Sequence, residues 1–335
     1  MVSGRGQCAS GVGRTDGSLV GPGSGAGGDG RLRFDVNVSP QGYVWWYLDA
    51  FSDDGTNGLT LIAFVGSVFS PYYAWSGRHD PHNHCALNVA LYRPRDSRWA
   101  MTERGRGDVS LWPDRFEIGP SMIRLERDTL VIDVNERSAP TFRRMQGQIR
   151  VSIPQFTGCA FKLDAQDKHR WRPLSPSVEV EVAFQKPNVS WSGRGYLDSN
   201  DGDEPLEEGF SIWDWSRIEL AEGRTAILYN TSPRGEEARR MALVFNRDGT
   251  VEDTDPPETG ALPSTSIWRI ARPSGSTDSR VIKTLEDTPF YSRSMIEAEF
   301  GGRRQRAMHE SFDGDRLRQG WVKALLPFRM PRLAR

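Results

Sequence analysis

Short runs of β-branched and aromatic residues, cut at close intervals by turn residues and prolines, constrain this chain more than any other feature. Such runs stand at residues 43–48, 59–65, 85–92, 129–134, 149–153, 178–184, 226–229, 241–245 and 266–270. The run Val178-Glu-Val-Glu-Val182 alternates strictly, as a half-buried antiparallel strand does. Asp53-Asp54-Gly55, Asp201-Gly202, Arg247-Asp248-Gly249 and Asp313-Gly314-Asp315 supply turn signals between runs. No long segment of 3.6-residue period competes, and the best helical candidate, 70–75, is long enough for a single turn. The pattern predicts an all-β fold of antiparallel barrels or sandwiches.

A chain of 335 residues exceeds what one small barrel needs. We therefore expect two β domains, 31–175 and 176–328, divided near the Pro-bearing Arg172-Pro-Leu-Ser-Pro176. Residues 1–30 are a Gly- and Ser-rich head without an apolar signal core, expected to be disordered. A net charge of −1 argues against a nucleic-acid partner, and no apolar stretch approaches eighteen residues. Cys8, Cys85 and Cys159 are too few and too scattered for a disulfide framework, and read as small hydrophobes of a reducing compartment.

The chemistry concentrates in Trp191-Ser-Gly-Arg-Gly-Tyr196-Leu-Asp198 and Phe210-Ser-Ile-Trp213-Asp-Trp215. On a strand Tyr196 and Asp198 project together, as do Trp213 and Trp215. A carboxyl beside aromatic walls can stay protonated, protonate an apolar molecule, and shelter the resulting cation against ring faces. His169 and Trp171 form a second pair at the same spacing; taken alone, His169 also reads as an ordinary surface or capping histidine. Trp191, Trp213 and Trp215 are candidates for lining an apolar tunnel, with core packing as their plainer reading.

Other constellations are weaker. On a strand His82 and His84 would share a face and suit a metal pair, with His79 or Asp80 folding back across Pro81 as a third ligand, but a polar loop leading into the strand at Cys85 is the preferred reading. The acidic run 198–204 does not have the spacing of a calcium loop, and Asp201 to Glu204 reads as a solvated turn. No metal or cofactor site is expected; phosphate-binding glycine loops and a nucleophilic-serine motif are both absent.

Longer segments carry a resemblance. Phe34-Asp-Val-Asn-Val-Ser-Pro-Gln-Gly-Tyr43-Val-Trp-Trp-Tyr-Leu-Asp49, Gly66-Ser-Val-Phe-Ser-Pro-Tyr-Tyr73, His82-Asn-His-Cys-Ala-Leu-Asn-Val-Ala-Leu-Tyr92 and Trp191 to Asp198 resemble the carotenoid 1,2-hydratase, or hydroxyneurosporene synthase, family, and the likeness runs from about Leu32 to Phe328. The resemblance implies a two-domain, lipocalin-like β fold, shared with fungal pericyclases. It also implies a cofactor-independent hydro-lyase of purple photosynthetic bacteria, adding water to the terminal C1=C2 bond of acyclic carotenes such as neurosporene and lycopene. It further implies a catalytic group of His169, Trp171, Tyr196 and Asp198, matching the two pairs picked out by spacing.

On that reading Asp198 gives its proton to C2, Trp171 and Tyr196 stabilise the cation at C1, and His169 positions the attacking water. A cytoplasmic protein in peripheral contact with the inner photosynthetic membrane is expected, because the substrate is held in lipid. Two rivals share the aromatic walls: a non-catalytic lipocalin-like carrier of carotenoid or lipid, and a pericyclase-like enzyme that shapes a polyene without a proton donor.

Overall fold

The computed structural model describes residues 31–333. Strand accounts for 55% of the structure and helix for 10%, in a curled half-barrel sheet and a second sheet, as the all-β reading requires. The described chain divides into two compact units: 31–160 with Arg170–Pro205 and 323–333, and Phe161–His169 with Leu206–Val322. The glycine-rich head lies outside the described residues.

In chain order the first strands are β1 (Tyr43–Ser52), β2 (Gly58–Val65), β3 (Cys85–Tyr92), β4 (Arg98–Arg104), β5 (Val109–Trp112), β6 (Arg115–Ile118), β7 (Ser121–Glu126), β8 (Thr129–Arg137), β9 (Arg144–Ser152), β10 (Phe161–Lys162), β11 (His169–Lys186) and β12 (Asn188–Gly202). The large sheet runs β4-β3-β2-β1-β12-β11-β9-β8-β7-β6-β5, with the short strand Arg332–Leu333 added in parallel outside β4 and β10 paired to β11 off the path. The long β11 and β12 reach the centre, and β12 joins β1, the first strand in sequence.

Every residue of β1 is buried, so both of its faces are covered. Val44, Trp46, Leu48 and Ala50 enter the main apolar core with Leu61, Val89, Val180 and Leu197. Each such burial is worth about 1.5–3 kcal/mol for a large aliphatic side chain. The alternate residues Tyr43, Trp45, Tyr47, Asp49 and Phe51 turn to the other face by the two-residue period of a strand. That second face carries the polar groups described below.

Close approach of β12 to β1 depends on two glycines. A Cβ on Gly193 would lie 1.9 Å from the Phe51 carbonyl oxygen, and one on Gly195 2.4 Å from that of Asp49. The Ser-Gly-Arg-Gly portion of the tryptophan-rich segment therefore sets the register in which Tyr196 and Asp198 are presented.

The second unit contains β13 (Phe210–Glu219), β14 (Thr225–Pro233), β15 (Arg239–Phe245), β16 (Val251–Asp253), β17 (Gly260–Leu262), β18 (Arg272–Ser274), β19 (Arg280–Asp287), β20 (Tyr291–Phe300) and β21 (Arg303–Asp313). Seven of these form a sheet of order β16-β15-β14-β13-β21-β20-β19, and β17 pairs with β18. Its apolar core gathers Ile218, Leu228, Val244, Ile296 and Ala307.

Several local expectations are corrected. Residues 266–270 form a loop rather than a strand: Ile270 returns its N–H to the Thr265 hydroxyl, and Asp287 accepts the N–H groups of Ile267 and Trp268. Strands β20 and β21 were not legible because buried charges interrupt their apolar pattern; Arg293 sits between Glu286 and Glu310, 2.8 Å from the latter. Asp201 is no solvated turn but the buried end of β12, held by Arg170 at 2.6 Å and also by Arg172. Asp313 caps a helical turn, accepting the Arg316 N–H at 2.9 Å. Asp53 to Gly55 and Asp248 to Gly249 do turn, with both glycines at positive φ. The 70–75 segment makes one helical turn, Pro71–Trp75, capped by the Ser70 hydroxyl. Cys85 is a free buried thiol, its pKa raised by burial, and Cys159 is also buried; Cys8 lies outside the described residues.

Candidate active site

The second face of the large sheet brings Trp171, Tyr196 and Asp198 into one hydrogen-bonded group. Trp171 comes from β11 and the other two from β12, and all three are buried. The Tyr196 hydroxyl donates to Asp198 Oδ2 at 2.9 Å. The Trp171 indole N–H is shared between the same Oδ2, at 2.9 Å, and the Tyr196 oxygen, at 3.2 Å. Two donors on Oδ2 mark it as the accepting oxygen, so a proton carried by this carboxyl belongs on Oδ1.

Burial, and after it the neighbouring Asp198 carboxyl, push the Tyr196 hydroxyl well above its ordinary pKa. Tyr196 therefore remains a neutral donor throughout the physiological range. The group combines one carboxyl, two polar hydrogens aimed at it, and the faces of an indole and a phenol. It can release a proton while stabilising the carboxylate that remains.

His169 stands two residues before Trp171 on β11 and is fully buried. Asp164 accepts its backbone N–H at 2.7 Å, and its ring packs on Phe210 at 4.7 Å between centroids. Gly209 gives that ring its space, because a Cβ there would lie 2.2 Å from Nε2. Trp213 and Trp215 are buried on β13, where Trp213 meets Tyr229 at 5.5 Å and Phe312 at 5.8 Å. Trp191 is placed otherwise: its odd offset from Tyr196 puts it on the opposite face of β12, packed against the apolar core.

Sequence reading overlooked the aromatic row on β1. Tyr43 stacks on Trp45 with centroids 5.0 Å apart, Trp45 meets Phe64 at 6.1 Å, and Tyr47 meets Tyr196 edge to face at 6.3 Å. Tyr47 also donates to Asp49 at 3.0 Å. The available signal was the tripeptide Tyr-Leu-Asp, which occurs at 47–49 and again at 196–198.

The three histidines near residue 80 serve the loop and strand in which they stand. His84 Nδ1 lies 2.8 Å from Glu103, which Arg332 also engages. Half-buried His82 lines a shallow cavity of about 270 Å³ with Asp35 and Arg106, and burial lowers its pKa. Among the described residues no group of three or more His, Cys, Asp or Glu side chains is arranged to hold a metal ion.

Comparison with known proteins agrees with this architecture. The family model for carotenoid hydratase CrtC matches residues 61–335. The acyclic carotenoid 1,2-hydratase of Thiocapsa roseopersicina is 49% identical, covering 99% of this chain and 83% of that protein. That of Rubrivivax gelatinosus is 45% identical over 91% and 77% of the two chains, and that of Rhodobacter capsulatus 37% over 82% and 98%. Among solved structures, CghA with Sch210972 shares the fold at a TM-score of 0.53 and 13% identity, covering 89% of this chain and 94% of its own. The sheet that assembles Trp171, Tyr196 and Asp198 is thus the scaffold of a known hydro-lyase lineage, and the chain belongs to the CrtC carotenoid hydratase family.

Proposed function

We propose that this chain adds water across the terminal C1=C2 bond of an acyclic carotene, neurosporene or lycopene, to give the tertiary 1-hydroxy product. The observation that carries the mechanism is the convergence of two donors on Oδ2 of a buried carboxyl. An isolated trisubstituted alkene is a weak base, so its protonation needs an acid whose anion is stabilised as it forms. Asp198 donates its proton from Oδ1 to C2, and Trp171 and Tyr196 hold the developing carboxylate through Oδ2. The electron pair of the C1=C2 bond forms the new C2–H bond, leaving a tertiary cation at C1 that the aromatic faces stabilise. Water then attacks C1 and surrenders a proton, with His169 as the base that orients it. Return of one proton to Asp198 closes the cycle.

The lipid-held substrate requires contact with a bilayer, and we place that contact, with the inner photosynthetic membrane, at the C-terminal helical segment. Among the described residues no helix is long and apolar enough to cross a membrane. The helix Gly320–Leu325 and the turn Leu326–Phe328 instead expose Trp321, Leu325 and Phe328, the last to 76%. Arg318, Lys323 and Arg329 flank them. An exposed aromatic beside basic residues suits an anionic lipid interface.

The deciding experiment incubates the purified protein and its Asp198→Asn variant with lycopene and looks for a mass gain of one water. The wild type should yield the hydrated product, and the variant should bind carotene but lose turnover by about 10²- to 10⁴-fold. No hydrated product from the wild type would leave a carrier. Undiminished hydration by the variant would remove Asp198 as the proton donor, and an isomerised polyene of unchanged mass, formed by wild type and variant alike, would mark a pericyclase-like enzyme.

A further inference from the structure

Strand register lays buried polar groups in line across the face that carries Asp198. Tyr196 on β12 stands opposite Asp49 on β1, and Asp49 stands opposite Thr60 on β2. Ala90 on β3 is the next residue of that row. One diagonal step from Thr60 is Asn88, opposite Ile62 in the row that holds Tyr47 and Asp198. The adjoining Leu59, Leu61, Leu87 and Val89 enter the apolar core, so Thr60 and Asn88 share the other face with the catalytic group.

Thr60 is fully buried, and Asn88 all but fully at 5% exposure. Thr60 Oγ1 and Asn88 Oδ1 have no hydrogen-bond partner among the described residues. A polar oxygen left dry inside a protein is costly, and buried water satisfies such groups where there is room. Alanines supply the room: Ala86 and Ala90 flank Asn88 on its own strand, and Ala90 is also the neighbour of Thr60 across the strands. The rest of this part of the face is apolar, with Trp45, Ile62 and Phe64 all buried. Hydration consumes one water in every turnover, whereas the cation needs surroundings that keep bulk water out.

We propose that Thr60 and Asn88 form a water site that supplies the nucleophile of hydration to the neighbouring catalytic group. This rests on the reading of the chain as a hydratase with Asp198 as its acid. Three partners suit one buried water: the Thr60 hydroxyl, the Asn88 amide, and the Asp49 carboxyl beside them, which hydrogen-bonds water in either protonation state. Neighbouring strands stand about 4.8 Å apart, so Thr60 on β2 is about 10 Å from β12. Two or three hydrogen bonds of about 2.8 Å span that gap. Thr60 and Asn88 act through the water they hold, as positioning residues.

The test follows lycopene in heavy water with the wild type, Thr60→Val and Asn88→Leu. Once Asp198 has delivered a deuteron to C2, the cation has two exits. Water captures C1 and gives up a proton, forming the hydrated product, or C2 returns a proton to the Asp198 carboxylate and the double bond re-forms with deuterium kept at C2. Loss of the water site leaves protonation in place and slows capture. Each variant should therefore lower hydration about three- to tenfold, the worth of one hydrogen bond, with the carotene KM unchanged. The ratio of deuterated lycopene to hydrated product should rise by a similar factor. Thr60→Ser keeps the hydroxyl and should hold the wild-type ratio. A merely structural role would lower both products together, and that unchanged ratio would overturn the proposal. Thr60→Val, with the shape of the native side chain, carries the test should Asn88→Leu not fold. If the wild type forms neither hydrated product nor deuterated lycopene, the acid reading falls and the water site with it. A wild type that hydrates, beside variants whose ratio does not move, removes the water site alone.

Discussion

Trp171 donates its indole N–H to Asp198 Oδ2 at 2.9 Å, the oxygen that the Tyr196 hydroxyl also reaches. Trp171→Phe and Tyr196→Phe each remove one donor and keep an aromatic face. Each should lower hydration about tenfold, the worth of one hydrogen bond of about 1.4 kcal/mol. Trp171→Ala opens a cavity at a fully buried site and should also destabilise the fold by about 3–5 kcal/mol. Single-turnover kinetics with thermal melts of all three variants separates the two effects; Phe variants as damaged in stability as the Ala variant would contradict this.

Gly209 leaves His169 its position, since a Cβ there would come within 2.2 Å of Nε2. The ring is fully buried and cannot swing into solvent. Gly209→Ala should therefore depress hydration by displacing His169 while His169, Trp171, Tyr196 and Asp198 all remain present. Gly320→Ala, where a Cβ meets nothing within 4 Å, should leave activity as it is. Equal turnover in the two variants would show that the placement of His169 has no bearing on the reaction.

Two buried groups on β13 and β21 give opposing pH dependences of stability. Burial pushes Asp214 up to about 7, against the hydrogen bond from Asn230 and the positive charge of Arg240. The folded protein thus binds a proton that the unfolded chain has released, and stability from this group falls as pH rises from about 4 to about 7. Burial and nearby Arg272 push His309 down to about 3. There the unfolded chain binds the extra proton, and stability falls as pH drops from about 6.5 toward 3. The two slopes largely cancel between pH 4 and 6.5. In denaturant titrations Asp214→Asn should expose a stability that rises with pH in this window, and His309→Gln one that falls. Parallel curves for wild type and both variants would refute the assignment.

Vesicle sedimentation tests the bilayer contact. Wild-type protein should pellet with vesicles containing anionic lipid, less with purely zwitterionic ones, and less again at high salt as the basic residues are screened. Replacing Trp321 and Phe328 by Ser should abolish pelleting while turnover on detergent-solubilised carotene persists. Pelleting unaffected by the double substitution would place the contact elsewhere.

Alternation and turn chemistry made the all-β class legible, because the two-residue period of Val178 to Val182 is a property of a single strand. The pairs His169/Trp171 and Tyr196/Asp198 were legible for the same reason: i and i+2 share a face whatever the rest of the chain does. Strands β20 and β21 escaped because their arginines and glutamates look solvent-facing until Arg293 is seen between Glu286 and Glu310. Trp191 read as part of the site by proximity in sequence, yet strand parity turns it to the opposite face.

The sequence by itself determined which side chains could share a face, since that follows from backbone geometry over three residues. Only the tertiary structure decided which faces meet. It laid β1 beside β12, some 150 residues later in the chain, in the register that sets Tyr47 against Asp198 and Asp49 against Tyr196. That register follows from the glycines at 193 and 195, which permit close approach, and from leucines on both strands that must enter one core. Both are packing constraints between distant segments, and a local pattern does not contain them.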